Sequence, residues 1–181
     1  MPLAKLLRGD RIRLTALTKD DLPTIASWYQ DAEFMRLYDS RPACPKTETE
    51  LAGWLEELDK DKTTFAFAVR DLESDDLIGS LELDGVNWQH GVCGMGLAIG
   101  DPANRDKGYG YEASQLALEF AFNELNLHRV QVTVFSYNAP SIALIEKMGF
   151  RREGAFREFL QRDGQRHDML LYGLLRHEWK P

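Results

Sequence analysis

Cysteine is scarce in this chain: 181 residues hold two, Cys44 and Cys93, far apart and without CxxC spacing. That excludes a disulfide framework and a cysteine-based zinc site, and leaves two ordinary buried thiols in a reducing cytoplasm as the expectation. No apolar run approaches the roughly 18 to 20 residues a membrane helix needs, and the stretch from Met1 to Gly9 lacks the long apolar segment of an export signal. Neither anchoring nor export is expected. Positive charge is also short. Lys and Arg number 22 against 29 Asp and Glu, a formal charge of -7, so the field of the molecule repels nucleic acid and favours cationic partners. The four histidines, His90, His128, His167 and His177, show no metal-ligand spacing, and no metal is expected.

What is present is an ordinary globular composition, 44% hydrophobic and 28% charged, at a length that suits one domain over residues 1–181. The most informative stretch is Arg105-Asp106-Lys107-Gly108-Tyr109-Gly110-Tyr111. Met95 to Ile99 before it reads as a buried strand stopped by Asp101-Pro102, and Leu116, Ala117, Phe120, Ala121 and Leu125 after it recur at helical spacing. A glycine-rich turn that opens a helix offers unpaired N–H groups and the positive end of the helix dipole, so it suits an anion. The two glycines alone are equally compatible with a tight turn. The loop lacks the Gly-Lys-Ser/Thr ending of a nucleoside-triphosphate loop and the third glycine of a dinucleotide fingerprint. Another phosphorylated cofactor fits better.

Elsewhere, Arg11 to Leu14 alternates as a half-buried strand, and Thr18-Lys19-Asp20-Asp21 starts a helix carrying Leu22, Ile25, Ala26 and Tyr29. A second helix is predicted from Thr47 to about Asp59, with Thr47 and Glu50 as a capping box. Strands follow at Phe65 to Val69 and Leu77 to Leu83 about a turn at Asp71 to Asp76, then the strand toward Ile99, the glycine loop and its helix. Val130 to Phe135 is rich in β-branched residues, a helix covers about Pro140 to Met148, and Asp163-Gly164 closes a hairpin between Phe150 to Leu160 and His167 to Leu174. The order β, α, α, β, β, β, α, β, α, β, β makes an α/β (α+β) domain, a mixed sheet with helices on both faces.

Three segments in fixed order carry a resemblance: the glycine loop, then Asn138-Ala139-Pro140-Ser141 through Lys147-Met148-Gly149-Phe150, then Arg151-Arg152-Glu153-Gly154. With Asp163-Gly164, His167-Asp168 and Glu178-Trp179 they are similar to the GNAT superfamily of acyl-CoA N-acetyltransferases, and to its branch of ribosomal-protein N-terminal acetyltransferases. The resemblance covers nearly the whole chain. It implies a central, mostly antiparallel twisted sheet of about seven strands with one splayed pair. It also implies acetyl-CoA as acyl donor, with the loop from Arg105, Asp106 and Lys107 through Gly108, Tyr109, Gly110 and Tyr111 holding the pyrophosphate. Backbone groups of Leu97, Ala98 and Ile99, with Asn138 and Ser141, would hold the pantetheine arm in the splay. The acceptor would be a protein N-terminal amine, a polyamine or another small-molecule amine, and a homodimer is common among such proteins.

Two positions depart from the family pattern. Ile145 stands where many members carry a tyrosine that protonates the leaving thiolate, and Gly94 stands where many carry a glutamate that relays the amine proton. Ser141 is the nearest substitute acid, ahead of Tyr109, Tyr111 and Tyr137, and Glu82 with Asp84 on the neighbouring strand are the nearest bases. Asp31, Glu33 and Asp39 fall in the segment that lines the acceptor groove in the family. The vacancies leave a second reading open, a non-catalytic acyl-CoA-binding sensor or assembly module. Cys93 reads as a buried strand thiol in preference to a nucleophile.

Overall fold

The computed structural model describes residues 6–180, so the first part of the Met1 to Gly9 reading lies outside the described residues. Seven strands form one sheet in the order β1-β2-β3-β4-β5-β7-β6. They are β1 (Ile12–Ala16), β2 (Phe65–Asp71), β3 (Leu77–Asn87), β4 (Val92–Ile99), β5 (Arg129–Phe135), β6 (Arg151–Arg162) and β7 (Gln165–Leu175). Five helices accompany them: α1 (Leu22–Trp28), α2 (Ala32–Tyr38), α3 (Glu48–Lys60), α4 (Tyr109–Glu119) and α5 (Ala139–Lys147). Among the described residues, no helix is long and apolar enough to cross a membrane.

Alternation along the strands divides the core in two. Leu81, Leu83 and Met95 face Ala113, Leu116 and Ala117 of α4. Ala98 on the other face packs under Leu22, Ile25, Trp28, Leu51 and Leu55 of α1 and α3. Capping decides where the helices of this second layer start. Thr47 accepts from the Glu50 N–H at 3.2 Å while Glu50 accepts from the Thr47 N–H at 2.8 Å, the reciprocal capping box. Thr18 and Asp21 repeat the device, and Asp21, buried, takes Arg70 at 2.6 Å.

Every strand pair is antiparallel except β4 with β5, and that parallel ladder is short: Val92 with Arg129, Cys93 with Val130 and Gly94 with Gln131. Beyond Gly94 the two strands part while β4 stays paired to β3 as far as Ile99 with Gly79. The splay lies in the middle of the sheet, where a gap would otherwise be filled by another strand.

Four expectations need correction. Cys44 is exposed, because Ser40 to Lys46 forms neither helix nor strand and nothing packs on the thiol between Pro42 and Pro45; only Cys93 is buried. α2 is an additional helix, started by Asp31 accepting from the Glu33 N–H at 2.9 Å. Its Phe34, Met35 and Tyr38 have helical spacing over fewer than two turns, too short for periodicity to single out. β3 runs on to Asn87 past a break in register near Gly85, whose φ of +57° suits glycine. The helix after the glycine loop ends at Glu119 and continues as a wider π turn over Phe120–Glu124.

Candidate active site

The splay opens a cleft of about 280 Å³. Met95, Gly96 and Leu97 of β4 form one wall, and Val132, Thr133, Val134 and Phe135 of β5 the other. Ser114 of α4 and Asn138, Ser141, Leu144 and Ile145 at the start of α5 lie at its back, and Leu37 to Ser40 from the end of α2 form its lip. Arg162 fixes that lip by donating to the carbonyls of Asp39, Ser40 and Arg41 at 3.0, 3.1 and 3.1 Å. The edge of β4 facing away from β3 has no strand partner from Met95 to Ile99. Unpaired backbone in a cleft is an invitation to an extended ligand that supplies the missing hydrogen bonds. A larger cleft of about 490 Å³ lies at the far end of β4, between α1 and the β2–β3 turn. It is lined by Asp31, Asp71, Asp76 and Asp101 and holds none of the splayed backbone.

The glycine loop ends beside this cleft. Gly108 caps α4 with φ +84° and Asp106 also has positive φ, +59°. The N–H groups of Asp106, Lys107 and Gly108 meet no acceptor among the described residues, and those of Tyr109, Gly110 and Tyr111 belong to the unpaired first turn. At Gly110 a Cβ would stand 3.2 Å from Leu97 Cδ2 and 3.5 Å from Leu144 Cδ2, so glycine keeps the helix start close to the cleft walls. This geometry suits an oxyanion such as a phosphate.

Arg105, expected to help hold the pyrophosphate, folds back onto the strand end, with Nη2 donating to the Gly100 carbonyl at 3.2 Å. Arg11 takes up that place. Its Nη1 donates to the Lys107 carbonyl at 2.6 Å, its Nε to Glu112 at 3.1 Å, and its guanidinium lies 5.3 Å over the Tyr109 ring. Alternation marked Arg11 as a strand residue, and nothing in the sequence ties it to a loop 96 positions away. Glu112 also accepts from the Arg11 N–H at 2.8 Å, so it is a tie between α4 and β1 rather than a free base.

On the sheet face toward α1–α3, Glu82 stands directly across from Gly96 and Asp84 across from Gly94. Nothing lies within 4 Å of where a Gly96 side chain would begin, so the space over Gly96 is open, and Glu82 stands across the ladder from it. Burial pushes the Glu82 carboxyl above its usual range, and the Asp84 charge pushes it further. Burial, with Asp84 again adding to it, lifts the Cys93 thiol to about 12; a thiol that stays protonated is a poor nucleophile.

Asn138 and Ser141 both line the cleft, but the Asn138 side chain is engaged: its Oδ1 accepts from the Ser141 N–H at 3.2 Å and its Nδ2 donates to the Leu37 carbonyl at 3.3 Å. Ile145 is buried at the back, where an aliphatic chain offers no proton. Of the tyrosines considered as substitute acids, two donate elsewhere and the third is engaged as an acceptor. Tyr109 donates to Asp71 at 3.1 Å, Tyr137 to the Arg36 carbonyl at 2.6 Å, and Tyr111 accepts from Gln115 at 3.0 Å. Of the three acidic residues assigned to the acceptor groove, Asp31 caps α2 and lies 4.0 Å from Arg105, Glu33 is exposed on α2, and only Asp39 lines the cleft. Burial would raise the Asp39 carboxyl, but hydrogen bonds from Arg41 outweigh it and hold the group below its usual range.

Residues 11–151 match the Acetyltransferase (GNAT) domain family. The chain belongs to the GNAT family. It is 33% identical over 174 residues to the SPbeta prophage-derived uncharacterized N-acetyltransferase YokL of Bacillus subtilis (strain 168), covering 95% of this chain and 94% of that protein. With the [Ribosomal protein uS5]-alanine N-acetyltransferase of Escherichia coli (strain K12) it shares 25% identity over 183 residues, 97% of this chain and 93% of the relative. Among solved structures, spermidine N-acetyltransferase from Vibrio cholerae in complex with CoA and spermine superposes with a TM-score of 0.85 at 26% identity, covering 94% of this chain and 98% of that one. The protein is therefore an acetyl-CoA-dependent N-acetyltransferase with the GNAT fold.

Proposed function

We propose that this GNAT protein transfers the acetyl group of acetyl-CoA to a primary amine, by direct attack in a ternary complex in the cleft between β4 and β5. The observation that carries this reading is the position of that cleft, with an anion-binding helix start on the α4 face of the sheet and Glu82 across from Gly96 on the face toward α1–α3. The loop from Arg105 to Tyr111 takes the pyrophosphate, its backbone N–H groups and Arg11 supplying the positive potential. The pantetheine arm lies along the free edge of Leu97, Ala98 and Ile99, toward Asn138 and Ser141. The acceptor enters under the α2 lip on the Glu82 side. A protein N-terminus, a polyamine or another small amine would satisfy the excess acidic charge, and the spermidine acetyltransferase likeness favours a cationic acceptor of this kind.

The chemistry is mostly placement. Glu82 takes one proton from the acceptor ammonium, and the neutral nitrogen attacks the thioester carbonyl. The oxyanion forms against backbone N–H groups of β4, the C–S bond breaks, and the nitrogen's remaining surplus proton leaves, so one proton reaches the thiolate and one goes to solvent through Glu82. A thiol of pKa about 8.5 is a fair leaving group unaided, so the Ser141 hydroxyl has modest work. Ser141→Ala is expected to lower kcat by no more than about tenfold, read by steady-state thiol release. Direct attack is tested by varying acetyl-CoA and amine together. Intersecting double-reciprocal lines support it, and parallel lines indicate an acetyl-enzyme and count against it.

A homodimer or larger homo-oligomer belongs to the same proposal. Phe156 and Phe159 on the edge strand β6 are 49% and 52% exposed with ring centroids 5.8 Å apart, and the Vibrio cholerae spermidine acetyltransferase forms a dodecamer. Light scattering is expected to give a mass above the 20.7 kDa of one chain, and Phe156→Ser with Phe159→Ser to return it to that value.

A further inference from the structure

The pairing of β3 with β4 shows what takes the place of the missing strand carboxylate. A Cβ built on Gly94 would lie 2.1 Å from Asp84 Oδ1 and 3.0 Å from its Cγ, so the volume in which a side chain at position 94 would begin already holds the Asp84 carboxylate. Asp84 reaches it from across the ladder, and Glu82 stands two residues along β3 on the same face, about 6 to 7 Å away by strand geometry. Neither carboxylate takes part in an ion pair among the described residues.

We propose that Asp84 is the positioning residue for Glu82: its carboxylate fills the side-chain volume that Gly94 leaves empty and so keeps a second negative charge beside the proton acceptor at the cleft edge. This rests on Glu82 being that acceptor. A neighbouring anion favours the protonated form of Glu82, which makes the carboxylate a stronger base toward an incoming ammonium, and together the two anions draw the cation in. A carboxylate placed by a strand partner thus supplies the negative charge that a glutamate on β4 would bring, while Glu82 takes the proton. Gly94 is then required rather than merely tolerated, since a side chain there would evict Asp84.

The groups around the pair are few. Tyr29 at the end of α1 and Tyr38 of α2 face Glu82, and both phenols are pushed up first by burial, Tyr29 to about 12, so both are neutral across the working range. Asp39, Arg41 and Lys46 lie at the outer rim about Tyr29, and Cys93 lies beside Asp84 from β4 with a thiol that stays protonated. Among these groups, Asp84 is the one that acts directly on Glu82, adding to the upward push of burial.

The test is the pH profile of kcat/KM for an amine acceptor in Asp84→Asn, an isosteric change at an exposed residue. The acid limb, set by Glu82, is expected to move to lower pH than in the wild type, with kcat/KM at neutral pH reduced about three- to tenfold. Because Asp84 is exposed, the wild-type limb should itself move down as salt is raised, and the Asp84→Asn limb should not. In Asp84→Ala combined with Gly94→Glu, a carboxylate returns to the same volume from the other strand and the wild-type limb is expected to return; Asp84→Ala alone should keep the lowered one. An acid limb unmoved in Asp84→Asn, while Glu82→Gln abolishes it, would overturn the proposal and leave the Glu82 reading standing. If Glu82→Gln itself leaves rate and limb unchanged, the Glu82 reading fails instead, and the proposal with it.

Discussion

Glu82→Gln is expected to lower kcat/KM by about 10²- to 10³-fold, the range for loss of a placed general base, while the affinity for coenzyme A stays within about twofold. Glu82 faces Gly96 across the β3–β4 ladder, and Gly96 is a wall residue of the cleft with no side chain to screen it. The sign of the pH effect follows from the raised carboxyl. Below its pKa Glu82 is protonated and cannot accept from the ammonium, so kcat/KM falls as pH drops through a value above the ordinary glutamate range. In Glu82→Gln that limb should vanish, leaving only the rise from free amine as pH increases. Donor binding is spared because Glu82 lies on the sheet face toward α1–α3, while the glycine loop opens α4 on the opposite face. A parallel loss of coenzyme A affinity would show instead that the substitution had collapsed the splay.

Gly108→Val is expected to weaken coenzyme A binding by about 10- to 100-fold, measured by calorimetry, with the far-ultraviolet circular dichroism retained. Gly108 holds φ +84° at the start of α4, and forcing a β-branched residue there costs roughly 1–3 kcal/mol. A Cβ at this position would also stand 3.0 Å from Arg11 Nη2 and push away the cation that lies over the loop. The chain relieves both by turning the loop, which takes the unpaired N–H groups of residues 106–108 off the anion. Gly108→Asn is the matching control, because asparagine visits the left-handed region and should lose far less. Equal losses in the two variants would mean that backbone conformation at Gly108 is not what the ligand reads.

Much of the scaffold was legible because local chemistry and global fold agree. The Thr47 and Glu50 capping box, the β-branched run at Val130 to Phe135 and the Asp163-Gly164 turn each name their element and nearly its bounds. The glycine loop also stood out, since Gly108 and Gly110 lie between an apolar strand and an apolar helix face. What stayed hidden depends on pairs far apart in the chain. Arg11 reaches the loop only because β1 runs beside the start of α4, and the fold-back of Arg105 depends on where β4 ends. The relation between Asp84 and Gly94 is a matter of register, and a slip of one residue would have turned both away. Cys44 was misjudged for a related reason, since composition predicts burial of a thiol only where there is an element to bury it against.

The central claim, that this cleft carries acetyl from coenzyme A to an amine, is tested most directly by thiol release from acetyl-CoA in the presence of a panel of primary amines. The panel should hold polyamines, amino-terminal peptides and small metabolite amines. The account predicts saturable, amine-dependent thiol release with at least one class, lost in Glu82→Gln and weakened in its acetyl-CoA dependence by Gly108→Val. A protein that binds coenzyme A by calorimetry yet releases no thiol with any amine on the panel would contradict it.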